Sequence, residues 1–238
     1  MKTKYIKINC QEPPCSINIK RVHWIAQCEV QKGDEDYLIW LQRAKTLASR
    51  VNKAAANTST EERNEDRLIL DAFGGVLAEE GWINLINHHF GVITRSAPFI
   101  SAAQQIDIEL EQGERIEIRS SFPRNGVKFA ICNSRSNFKN IGPYSNTVKP
   151  GEIQKHLYLG VLFDTSKSSL LDEKTIKFSL VGGSTWKMMA QEGLNGNLMP
   201  DGSAGEVDTN YRYIPWNAAL DVLGVRKAIE ALGYKRII

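Results

Sequence analysis

Hydrophobic positions recur at spacings of three and four over Tyr37, Trp40, Leu41, Ala44, Leu47, Ala48 and Val51. A helix of 3.6 residues per turn gathers such positions on one face. Asp34 or Asp36 stands where the start of that helix needs an acceptor for its open N–H groups. The polar run Asn57-Thr58-Ser59-Thr60 ends it. Ser59 with Glu62 three residues on has the form of a capping box for a second helix. Ile69, Ala72, Phe73, Val76 and Ile83 carry its apolar stripe to about Asn87. The Gly74-Gly75 pair inside it costs roughly 1 kcal/mol per glycine against alanine, so a close neighbour is expected there.

After Gly91 the period falls to two. Residues 105–110 and 115–119 alternate around Gly113, as two half-buried strands of a hairpin do. Residues 155–164 have an almost unbroken apolar centre and predict a strand buried on both faces. Residues 176–182 predict another strand, and Tyr211 to Pro215 a further one after a Gly-, Asn-, Asp- and Ser-rich surface loop over 191–210. Ala218 to Leu232 returns to helical spacing. Trp186 and the Met188-Met189 pair read as core. Ile17 to Ile19 and His23 to Ile25 are short strand candidates in an otherwise ambiguous start. The sum is an α/β (α+β) chain with a central mixed β-sheet flanked by helices. Residues 1–60 read as a helical or irregular N-terminal extension, and 61–238 as the α/β core with a C-terminal strand and helix.

Composition changes this picture little. The chain has 238 residues, 42% of them hydrophobic, which is ample for a core. There is no apolar run long enough for a membrane span and no signal-peptide pattern at the start, so a cytoplasmic protein with reduced thiols is expected. Cys10, Cys15, His23 and Cys28 match no strong zinc spacing. His88-His89 closes a helix, where imidazolium suits the helix dipole. Gly182-Gly183-Ser184-Thr185 lacks the lysine of a phosphate loop. Net charge is only +3, but its distribution is uneven. From Arg119 to Lys155 there are seven basic residues and one acid, Glu152. Arg124, Asn125, Lys128, Arg135, Lys139 and Lys149 lie in this stretch among many Asn and Ser. Those are side chains that bond phosphates and base edges, so they are the candidate contacts to DNA.

The candidate chemistry sits on the hairpin. A three-residue loop, Glu111-Gln112-Gly113, sets the register, and residues whose numbers sum to 224 then face each other. Asp107 opposes Glu117, Glu109 opposes Arg115 as an ion pair, and Gln105 opposes Arg119. Ile106, Ile108, Ile116 and Ile118 take the core face. Two acids directly opposed destabilise a strand pair. A bound cation reverses that sign, and carboxylate oxygens suit Mg²⁺ or Mn²⁺.

Asp107, then Glu117, then Arg119 two residues on resembles the PD-(D/E)xK nuclease superfamily, which includes many restriction endonucleases. There a hairpin carries an Asp followed by Glu-x-Lys, these hold Mg²⁺, and a preceding helix often adds a Glu. The stretch from Gly75 to Glu79 is similar to that helix motif, while helical periodicity favours Glu80. The resemblance covers about residues 65–185 and implies a restriction-endonuclease-like core. It also implies a Mg²⁺-dependent endonuclease acting on double-stranded DNA, with a restriction or phage-defence role and a homodimer matched to a palindromic site. No organic cofactor and no membrane are expected. Asp107, Glu117, and Glu79 or Glu80 would hold the metal, and Arg119 would clamp a phosphate. Two departures stand out. Ile106 replaces the usual Pro, and Arg119 replaces the Lys. Arg keeps the charge but stays protonated, so it is no base. Lys128 is a candidate for the missing role, and a nuclease-like module that binds without cutting is the alternative. A metal-dependent enzyme acting on a small substrate is a third reading.

Overall fold

The computed structural model describes residues 1–10, 21–50, 65–97, 106–133, 136–145, 151–196 and 210–238. In chain order the strands are β1 (Lys2–Cys10), β2 (Arg21–Gln31), β3 (Thr94–Ser96), β4 (Ile108–Leu110), β5 (Arg115–Ser121), β6 (Asn140–Ser145), β7 (Leu157–Phe163), β8 (Thr175–Thr185), β9 (Leu194–Gly196) and β10 (Asn210–Ile214). The helices are α1 (Glu35–Ala48), α2 (Glu65–Phe90), α3 (Gly126–Cys132), α4 (Trp186–Glu192) and α5 (Val222–Ala231).

The expected buried strand is β7, and every one of its residues is buried. It is the middle strand of a seven-stranded sheet of order β1-β2-β8-β7-β5-β4-β3. Side chains of a strand alternate between faces, and here the alternation sorts them into two layers. Leu157, Leu159, Val161 and Phe163 join a core built with Tyr37 and Trp40 of α1, Phe73 and Trp82 of α2, and Val225 and Ile229 of α5. Leu162 joins Val127, Ala130 and Ile131 of α3 and Trp216 on the opposite face. Helices therefore cover both faces of the sheet. The sheet is mixed: β5 and β7 are parallel, with α3 between them in sequence, and the other neighbours are antiparallel. A second sheet, β6-β10-β9, packs through Ile214 against Tyr158 of β7 and Met189 of α4.

Several expectations need correction. Residues 1–60 are not only helical or irregular: β1 and β2 are two strands of the main sheet, and β1 is its edge. Lysines at exposed positions of β1 hide it from a hydrophobicity scan and protect the edge. Gly74 has the expected close neighbour, since a Cβ there would lie 3.4 Å from Phe122, but glycine is required at Gly81. A Cβ on Gly81 would lie 2.8 Å from Phe178 and 3.0 Å from Leu180, whereas nothing lies within 4 Å of one on Gly75. Reduced thiols are not what is found at Cys10 and Cys132. They form a disulfide across 122 positions, because α3 packs on β1. Cys10 is thereby removed from the zinc candidate, Cys28 is a buried free thiol, and Cys15 lies outside the described residues. So do the Ser59–Glu62 capping box and Ile17 to Ile19. Among the described residues no helix is long and apolar enough to cross a membrane.

Candidate functional site

Leu110 N donates to the Glu114 carbonyl and Gly113 N to the Leu110 carbonyl, at 2.8 and 2.9 Å. Gly113 closes this loop at φ 94, a conformation that costs glycine little. The register that follows is the expected one: Ile108 faces Ile116 and Glu109 faces Arg115. One detail differs. Glu109 bonds Arg95 of β3, at 2.9 Å, rather than forming the expected pair with Arg115.

Continued by one step, the register brings Asp107 to Glu117, and both are buried. Asp107 Oδ2 accepts a 2.7 Å hydrogen bond from Ile118 N, which fixes its carboxyl against β5. Burial, and then the charges of Glu117 and Glu79, push the Asp107 carboxyl well above its ordinary range. Glu117 is only 3% exposed and meets two cations. Arg119 Nη1 is 2.9 Å from its Oε1, and Lys155 Nζ is 2.9 Å from its Oε2.

Lys155 carries the main surprise. It is 1% exposed and enters from the segment just before β7, the parallel neighbour in which Tyr158 lies beside Glu117. The Tyr158 hydroxyl accepts from Lys155 N at 3.2 Å and holds that bend in place. The one acid of the basic stretch is also part of the network. Glu152 Oε1 takes Arg119 Nη2 at 2.8 Å, and its side chain is fully buried. Burial works against the charge on Arg119, but Glu117 and Glu152 outweigh it, so the guanidinium stays charged. Arg119 Nε is buried with no acceptor among the described residues.

On α2, Glu79 is the acid whose charge bears on the hairpin pair. Burial, together with Glu80 and Glu117, raises its carboxyl to about 7 against the pull of Arg43. Glu80 is raised too, mainly by burial, but the other acid near it is Asp36. Both bind Arg43 of α1, Glu80 at 2.7 Å. Helical periodicity favours Glu80, but the charge on α2 that acts on Asp107 is that of Glu79.

The other basic candidates that are described lie at different places in the fold. Arg124 and Asn125 are exposed between β5 and α3, past the end of the strand that carries Glu117. Lys128 lines a cavity of about 660 Å³ with Ile6, Ile8 and Ile25, beside β1. Three strands separate β1 from β5, so Lys128 does not stand in for the motif lysine. Lys139 is half-buried, bonds the Ser136 carbonyl, and burial lowers its pKa. Arg135, Lys149 and Gln105 lie outside the described residues.

Asp107, Glu117, Glu79 and Glu152 outnumber the cations Arg119, Lys155 and Arg43 around them. Carboxylate oxygens such as those of Asp107, Glu117 and Glu79 are the donors a hard cation takes. The fit requires movement. Among the described residues no group of three His, Cys, Asp or Glu converges closely enough to hold a metal ion, and both Glu117 oxygens are already paired. Comparisons with family models, curated proteins and solved structures find no match.

Proposed function

We propose that this chain is a metal-dependent phosphodiesterase that cuts double-stranded DNA. One observation carries the reading: a buried lysine meets the hairpin glutamate at 2.9 Å, from the strand next to it. The sequence resemblance lacks a lysine, and Lys155 supplies the same charge and donors from a different strand. The order of α2, then the β4–β5 hairpin, within a mixed sheet supports a restriction-endonuclease-like core.

Asp107 and Glu117 would hold Mg²⁺ or Mn²⁺, with Glu79 swinging from Arg43 to complete the set. A metal held by these carboxylates would supply a water of lowered pKa and positive charge beside the scissile phosphate. Lys155 orients Glu117 and presents ammonium protons to a phosphate oxygen. Arg119, braced by Glu152, offers its unpartnered Nε to a second oxygen, a charge-assisted bond of the stronger kind. A restriction or phage-defence role and a two-fold dimer belong to the same reading. The test is supercoiled plasmid incubated with Mg²⁺, Mn²⁺ or EDTA. Metal-dependent nicking that Asp107→Asn abolishes is the expected result.

A second reading is favoured by the pairing of both Glu117 oxygens: a nuclease-like module that binds DNA without cutting it. Salt-sensitive DNA binding without cleavage under any metal would select it. Neither binding nor cleavage would overturn both readings.

A further inference from the structure

The small sheet is tied to Glu117 through Glu152 and Arg119. Tyr144 N of β6 donates to Glu152 Oε2 at 3.3 Å, while the other oxygen of Glu152 takes Arg119. The Arg119 guanidinium carbon lies 4.8 Å from the centre of the Tyr144 ring. Tyr211 of β10 is the direct register partner of Tyr144, so the two side chains share a face of the small sheet. Their rings are 5.5 Å apart and tilted by 36°. A ladder of one guanidinium and two rings therefore starts at the partner of Glu117 and crosses from β6 to β10. All three side chains are only half-buried.

Flat aromatic and guanidinium faces take nucleobases by stacking, and every base offers such a face. Inside a duplex that face is covered by the next base pair. A base reaches a protein ring only when it is unpaired.

We propose that the Arg119–Tyr144–Tyr211 ladder receives an unpaired nucleobase. The preferred DNA then carries an unpaired nucleotide, at a fork, flap or overhang, next to the phosphate that meets Asp107 and Glu117. This rests on the nuclease reading above and narrows its substrate class. A ladder that served packing alone would affect stability and not the choice of DNA.

The test is fluorescence anisotropy in EDTA, with a labelled blunt duplex and the same duplex carrying a splayed, unpaired end. The wild type binds the splayed probe about tenfold more tightly, the size of a base–aromatic stack. Tyr211→Ala removes that preference and leaves blunt-duplex binding within about twofold, while Tyr211→Phe keeps it. Tyr211→Leu carries the same test if the Ala variant does not reach the wild-type thermal midpoint. Equal wild-type binding to the two probes overturns the inference and leaves the nuclease reading to the plasmid assay. Equal weakening of both probes by the Ala and Leu variants does the same. Binding of neither probe overturns both.

Discussion

Lys155→Met isolates one charge at the centre of the site. Methionine keeps much of the length and apolar volume of lysine, so the principal loss is the ammonium. That ammonium is 2.9 Å from Glu117 Oε2 in a position only 1% exposed. Removing one partner of a buried pair costs about 3–5 kcal/mol, because the other charge is stranded. Glu117 keeps Arg119 on its second oxygen, so the lower end of that range applies. For a chain of this size 1 kcal/mol moves the melting midpoint by about 2–4 °C, so a fall of about 6–12 °C is expected. Adding Glu117→Gln removes the stranded carboxylate and returns most of the loss, a coupling on the order of 2–3 kcal/mol. Urea denaturation of the four chains in EDTA at neutral pH measures that cycle. The reasoning is refuted if Lys155→Met stays within about 1 kcal/mol of the wild type, or if the two changes simply add.

His23 is buried, and burial drives its imidazole down to about 4 from 6.5, with its Nε2 donating to the Val181 carbonyl. The unfolded chain takes the proton first, so stability is full above pH 6.5 and falls by up to about 3 kcal/mol as pH drops toward 4; His23→Gln should flatten that part of a denaturation-against-pH curve. Glu79 shifts the other way, from 4.5 to about 7, so its contribution is present below pH 4.5 and is lost as pH rises through 7. A cation bound beside it favours the charged form, so the rise in melting midpoint on adding Mg²⁺ should be larger at pH 8 than at pH 6, and smaller in Glu79→Gln. Gly182 has φ 101, and a Cβ there would meet the Leu220 carbonyl at 1.9 Å, so Gly182→Ala should destabilise by about 3 kcal/mol or more. Gly75→Ala, on an open helical position, should instead stabilise by about 0.5–1 kcal/mol in the same denaturation assay.

The hairpin was legible because local chemistry determines it. Gly113 fixes the loop, the loop fixes the register, and the register brings Asp107 to Glu117. The buried strand β7 was legible for a similar reason, since seven consecutive apolar positions suit a strand covered on both sides. What escaped depends on contacts between distant segments. Lys155 sits far along the chain from Glu117 and reaches it only because β5 and β7 are parallel neighbours. A lysine at the entry to a wholly apolar strand was the available signal. Glu152 looked like a lone acid in a basic stretch, but tertiary packing buries it against Arg119. The Cys10–Cys132 disulfide and the placement of Lys128 both follow from α3 docking on β1, which no spacing encodes. Strand β1 escaped because an edge strand needs little hydrophobic surface.

Titration of the purified protein with Mn²⁺, followed by calorimetry and by the electron-spin signal of the free ion, tests the central assignment most directly. The wild type should bind Mn²⁺ with release of protons, since Asp107 holds a proton more tightly than an ordinary carboxyl. Asp107→Asn and Glu117→Gln should each weaken binding at least about tenfold while keeping the fold. Wild-type Mn²⁺ affinity in both variants would contradict a metal site on this hairpin.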